Sequence, residues 1–172
     1  FRVMWNGQEI RFNTRKSCAI LAGLALSDNY EMTRERLVGL LWSEAESDRA
    51  RASLRQALHE LREGFHAAGF DGFLADKLRI AITANAFSTD IGDIAAAAAQ
   101  GQAHSLIDGR SSVIDDLLAP LESIDAAFEA WTAGKRRYFE DLLTKRYEAA
   151  LSDGKVECDR EALARALSAI DP

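Results

Sequence analysis

Apolar and polar positions alternate weakly over Phe1–Trp5, stop at Asn6-Gly7, and resume over Glu9–Phe12 with Ile10 and Phe12 on one side. Asn-Gly suits a two-residue hairpin turn, because both central residues need positive φ. A short antiparallel hairpin is therefore predicted at the start. The spacing then turns helical. Cys18, Leu21, Ala22, Ala25 and Leu26 mark a first helix, ended by Ser27-Asp28-Asn29. Thr33 is placed to cap a second, with Leu37, Leu40 and Leu41 as its stripe and Trp42 at its close. The acidic stretch Ser43–Asp48 reads as a loop. Leu54, Leu58, Leu61 and Phe65, bordered by Ala57, form the stripe of a third helix, with Gly64 and Gly69 bracketing its end. Behind it, Gly72–Ala75 and Leu78–Ile82 read as two strands across Asp76-Lys77, with Leu78, Ile80 and Ile82 facing inward.

After Asp90 no strand pattern recurs. Ile91–Gln100 is an alanine-rich helix, and Ser111–Leu118 another, ended by Pro120. A long helix starts at Asp125 as N-cap and runs to about Leu151, with Phe128, Trp131, Tyr138, Phe139, Leu142, Leu143, Tyr147, Ala150 and Leu151 as its stripe. Asp153-Gly154 breaks it. A last helix over Asp159–Ile170 carries Leu163, Ala166, Leu167 and Ile170 in phase. The predicted fold is mainly α with small β. A winged helix-turn-helix over residues 1–90 precedes a helical, repeat-like part over 91–172, the boundary lying at about residues 88–92. The alternative for the first part is a three-helix bundle beside an unrelated β-ribbon.

Composition narrows the function. With 48% hydrophobic and 28% charged residues the chain has the make-up of a globular domain, and no apolar run is long enough for a membrane span. Cys18 and Cys158 form neither a metal spacing nor a disulfide framework, which points to a reducing, cytoplasmic setting. Phe1 in place of an initiator Met, and Pro172 closing a helical pattern, predict a cut from a longer polypeptide. The histidines His59, His66 and His104 lack ligand partners at a metal spacing, and no nucleophile elbow, Walker loop or Rossmann glycine run occurs. Asp115 and Asp116 diverge by about 100° on a helix. Neither enzyme activity, a metal nor a cofactor is expected.

The net charge of −6 is unevenly spread. Residues 1–90 carry 12 Lys+Arg against 12 Asp+Glu, and residues 91–172 carry 9 against 15. Within the neutral part, residues 49–62 hold Arg49, Arg51, Arg55 and Arg62 against Glu60 alone. With Leu54, Leu58, Leu61 and Phe65 buried, steps of about 100° place Arg49, Ala52, Gln56, Glu60 and Glu63 opposite, with Ser53 and His59 at the border. Arg51, Arg55 and Arg62 form a basic flank. A recognition helix needs this division: an apolar side for docking, short polar groups toward base edges, and guanidinium groups for phosphates. Glu60 and Glu63 argue the other way, since they face the duplex unless the helix enters by its N-terminal half. Lys77 and Arg79 sit at the following hairpin turn, where a wing touches backbone or minor groove. Lys135-Arg136-Arg137 reads as a solvated patch, and Phe128 with Trp131 as core.

The run Arg34-Glu35-Arg36-Leu37 to Leu41-Trp42, followed by Ala50-Arg51-Ala52-Ser53-Leu54-Arg55-Gln56-Ala57-Leu58-His59-Glu60-Leu61-Arg62, resembles the antibiotic-regulatory activator family of bacteria. There a response-regulator-like winged helix precedes the bacterial transcriptional activator domain (BTAD), which is similar to tetratricopeptide repeats. Asn6-Gly7, Arg15-Lys16, Asp90, Phe128-Glu129-Ala130-Trp131 and Ile170-Asp171-Pro172 extend the likeness. The hairpin departs from the family in lacking a glycine–aromatic ending. The resemblance implies sequence-specific binding of double-stranded promoter DNA, RNA polymerase as a partner, and homodimer contacts through a helical domain truncated here. Ser53, Gln56 and His59 are then base-edge candidates, and Arg49, Arg51, Arg55 and Arg62 phosphate contacts. Lys77 and Arg79 are wing contacts, and Glu44 and Glu46 polymerase contacts on the acidic loop. The rival expectation is a protein-interaction or signal-coupling module of a larger signalling protein, with weak or no DNA binding. The acidic second part and the two glutamates of the third helix motivate it.

Overall fold

A computed structural model describes residues 1–84, 87–107, 112–152 and 159–170. It is mainly helical with two small sheets. The chain divides into two compact units, Phe1–Phe87 with Pro120–Thr132, and Ser88–Ala119 with Ala133–Pro172.

The first unit opens with strands β1 (Val3–Trp5) and β2 (Gln8–Ile10), paired antiparallel with Val3 opposite Ile10. Asn6 and Gly7 both take positive φ, 49° and 78°, as the predicted turn requires. Helix α1 (Arg15–Ala25) is capped by Thr14, whose hydroxyl accepts from the Ser17 N–H. The expected stripe through Cys18, Ala25 and Leu26 is corrected: these are half-buried, while Ser17, Ile20 and Leu24 join Leu21 in the interior. Helices and strands surround α1 on several sides, so a single stripe understates its buried arc.

Strand β3 (Glu31–Thr33) has no counterpart in the hydrophobic pattern. Three residues are too few to display a period, and its partner lies 46 residues or more along the chain. Helix α2 (Arg34–Leu41) follows directly, Thr33 Oγ1 accepting from Arg36 N–H at 3.1 Å. Trp42 caps its end half-buried, with Lys16 Nζ 4.7 Å above the ring. Helix α3 spans Ser47–Ala67, so the acidic loop is shorter than expected. Strands β4 (Phe73–Ala75) and β5 (Arg79–Ile82) complete a sheet of order β3-β5-β4, antiparallel throughout. Ile80 and Ile82 face inward as expected, but Leu78 is 72% exposed. It belongs to the tip, where the Asp76 carboxylate accepts from the Leu78 and Arg79 N–H groups and the strand alternation has not begun. The core is Ile20, Leu24, Leu37, Leu41, Leu54, Leu58, Leu61 and Ile80, where α1, α2, α3 and the sheet meet.

Residues 120–132 return to this unit through specific bonds. Arg15 donates to the carbonyls of Pro120 and Glu122, and Ser43 donates from N and Oγ to the two Asp125 oxygens at 3.0 and 2.7 Å. Burial raises the Asp125 pKa, but hydrogen bonds from Ser43 and Ala127 and the nearby Lys16 charge outweigh it, leaving the carboxyl below its ordinary value.

The second unit begins with α4 (Asp90–Ala99), capped by Thr89 and buried through Ile91, Ile94, Ala95 and Ala98. Helix α5 is only Val113–Asp116, shorter than the expected Ser111–Leu118, because Leu117 leaves helical geometry and Leu118 takes φ 60° ahead of Pro120. Ser111, Asp153-Gly154, Cys158 and the end of Ile170-Asp171-Pro172 lie outside the described residues. Helix α6 spans Ala126–Ser152, its first residues in the first unit and the remainder here. Leu143, Tyr147 and Ala150 are buried as expected, but Tyr138 is 56% exposed, with Lys135 Nζ 5.8 Å from its ring. Helix α7 (Arg160–Ser168) starts at the Asp159 cap and buries Leu163 and Ala166. The Val113 N–H donates to Ala169 O at 3.0 Å and Arg136 Nε to Leu117 O at 3.0 Å; Arg146 donates to Ala95 O.

Candidate nucleic-acid interface

Helix α3 owes its orientation to two adjacent rows. Leu54, Leu58, Leu61 and Phe65 make one, and Ala50, Ser53, Ala57, Glu60 and Gly64 the other, at spacings of three and four. The first row is wholly buried; the second is buried at Ala50 and Ala57 and half-buried at Ser53, Glu60 and Gly64. At Gly64 the Phe12 ring comes so close that an added Cβ would lie 2.7 Å from it.

This second row corrects the helical projection at Glu60. Its side chain does not face away from the core. It meets the start of α1, accepting from the Asn13 N–H, the Thr14 N–H at 3.2 Å and the Ser17 hydroxyl at 2.6 Å. The negative charge thus sits at a helix N-terminus, where the dipole favours it. Burial opposes ionisation, but these hydrogen bonds prevail and hold the carboxyl below its ordinary value of 4.5. A depressed carboxyl pKa contributes stability above the unfolded value, and that contribution fades as pH falls through the folded one. Glu60→Gln is therefore expected to cost about 1–2 kcal/mol at neutral pH, less than a buried charge-assisted network because solvent reaches it. Urea melts should show the gap between variant and parent closing as the pH drops below 4.5. A gap independent of pH would mean that shape, not charge, is what Glu60 supplies.

The exposed side of α3 carries Arg49, Arg51, Arg55, Gln56, His59, Arg62 and Glu63. Ser53, half-buried beside Ala57, is less accessible than these. The arginines differ in what already occupies them. Arg51 lies 3.8 Å from Asp48 with both side chains well solvated, a pairing of little energetic consequence. Arg62 donates to the carbonyl of Ala75 on β4. Arg49 and Arg55 have no hydrogen bond or ion pair among the described residues.

The hairpin tip is braced from two helices. Arg62 holds Ala75 from α3; from α2, Arg34 donates through Nε to Asp76 O at 2.7 Å and through its backbone N–H to Leu78 O at 2.9 Å. The Arg79 and Leu78 N–H groups hold the Asp76 carboxyl below its ordinary pKa. Lys77 is exposed at the tip, while Arg79 pairs with Glu31 across the sheet at 3.0 Å. Glu44 and Glu46 are exposed on the loop between α2 and α3, the loop that Ser43 ties to Asp125. The bracing residues Arg34, Glu60 and Asp125 act across 42 to 82 residues of chain, and no local pattern marks such partners.

Among the described residues no group of three His, Cys, Asp or Glu side chains could hold a metal ion, and no helix is long and apolar enough to cross a membrane. Comparison with protein-family models, curated proteins and solved structures finds no match.

Proposed function

We propose that the first unit is a winged helix-turn-helix that binds double-stranded promoter DNA, with α3 as its recognition helix and the β4–β5 hairpin as its wing. The helices that follow form a tetratricopeptide-like part of the BTAD type. The protein is then a transcriptional activator whose exposed Glu44 and Glu46 meet RNA polymerase and whose helical part supports a homodimer. The observation that carries this reading is one exposed helix face holding Arg49, Arg51, Arg55, Gln56 and His59 beside a hairpin with Lys77 at its tip. Arg62 secures that hairpin to the same helix. The contact between Glu60 and α1 also removes one of the two acidic groups that the interaction-module reading placed on this face.

Within α3, positioning and reading separate by place. Arg55 is free to reach a phosphate, and the Gln56 amide suits adenine N6 and N7. Arg55→Ala is expected to weaken cognate and scrambled duplexes equally and to lower the salt slope by roughly one. Gln56→Ala should spare non-specific binding and cost about 1–3 kcal/mol on the cognate site. Fluorescence anisotropy on a promoter library measures both. The reverse pattern would rotate the reading face by about 100°. No effect from either change would hand the function to the interaction-module reading.

A further inference from the structure

Leu78 is the most exposed of the large apolar side chains among the described residues, at 72%. It is not on a slack loop. Its N–H donates to the Asp76 carboxylate at 2.7 Å and its carbonyl accepts from the Arg34 N–H at 2.9 Å, so its backbone is held on both sides. The Asp76 N–H donates to Arg79 O at 3.0 Å, closing the tip beneath it. A side chain presented from such a frame loses little further backbone freedom on binding.

Its surroundings say what it meets. Lys77 and Arg79 flank it in sequence, and Arg34 and Arg62 donate to the tip carbonyls of Asp76 and Ala75; the acidic groups of the hairpin surroundings are Asp76 and Glu31, the latter paired with Arg79. An apolar point on a hairpin where four cations outnumber two acids fits a surface with apolar walls between rows of negative charge. The DNA minor groove is such a surface: about 6 Å wide, walled by deoxyribose and rimmed by phosphates. Architectural proteins place leucine there. We propose that Leu78 is an apolar minor-groove contact of the wing, packing on sugar and base edges and adding a salt-independent share to duplex binding. The proposal rests on the duplex-binding reading above. It goes further by assigning Leu78 a contact, and one that is not electrostatic.

The same hairpin supplies a control. Leu74, on β4, is 58% exposed but lies in the strand opposite Ala81, away from the tip. The experiment is anisotropy of the full chain on an A·T-rich duplex of about 25 base pairs, titrated from about 50 to 200 mM salt. Leu78→Ala is expected to lower affinity about 3- to 10-fold by the same factor at every salt concentration. Lys77→Ala should instead reduce the salt slope by roughly one, and Leu74→Ala should change neither quantity. Netropsin, which fills the A·T minor groove, should erase the difference between parent and Leu78→Ala. Because Leu78 is exposed, the melting point of its variant should match the parent's.

A parent that binds while Leu78→Ala binds equally well overturns this proposal alone. So does an equal loss from Leu74→Ala, which would make the hairpin face a general sticky surface. Unchanged DNA affinity with a shift from dimer to monomer in sedimentation would assign Leu78 to a second copy of the chain. A parent that binds no duplex at about 50 mM salt overturns the duplex reading itself and this proposal with it.

Discussion

Affinity for a promoter duplex is expected to fall roughly 150-fold to 2,000-fold between about 50 and 200 mM salt, for about four to six phosphate contacts at a slope near −0.9 per contact. The structure ties that range to named groups. Arg49, Arg51, Arg55 and Lys77 are exposed, and Arg51 has only a long, solvated pairing to give up. Arg62 and Arg79 are engaged, with the Ala75 carbonyl and with Glu31. If those two stay on their partners, the slope falls at the lower end; if DNA captures them, at the upper. Arg79→Ala separates the cases, leaving the slope unchanged in the first and lowering it by roughly one in the second. Anisotropy across the salt range reads it directly. A slope near zero, or no binding at about 50 mM salt, would remove the DNA reading in favour of an interaction module.

Leu61→Ala is expected to lower the unfolding free energy of the first unit by about 2–5 kcal/mol. Leu61 is 0% exposed, in the row by which α3 docks on the rest of the unit. Against a typical total of about 5–15 kcal/mol that is a large fraction. All three tryptophans, Trp5, Trp42 and Trp131, belong to this unit, so their fluorescence in a urea titration follows it separately from the second. Gln56→Ala, on the opposite side of the same helix, should shift the midpoint little. A loss at Leu61 below about 1 kcal/mol would mean that α3 is not anchored by this row.

The two experiments test different faces of one helix, and the periodicity of that helix is legible in the sequence. Leu54, Leu58, Leu61 and Phe65 repeat often enough to define a buried direction, and Arg49, Arg55 and Gln56 follow as exposed. The Asn6-Gly7 turn and the Thr33 cap are legible for a similar reason: each is a local bond or backbone angle that only a few residue types satisfy. So are the helical character of the second half and the start of its last helix at about Asp159.

What stays hidden in the sequence is what depends on partners far along the chain. β3 is three residues long and is a strand only because Arg79–Ile82 lies beside it. Leu78 continues the strand alternation on paper, yet the Asp76 carboxylate claims its N–H and turns it into the tip. Glu60 reads as an exposed charge on a helical wheel, but α1 brings its N-terminus there and makes it a cap. Asp125 reads as the start of a helix, and only the return of residues 120–132 to the first unit shows that it also holds Ser43. Local sequence determined the apolar face of α3, the Asn6-Gly7 turn and the Thr33 cap, because propensity and period act over a few residues. Tertiary structure alone decided which polar groups on those elements are occupied, because each such bond joins atoms that only the folded chain brings together.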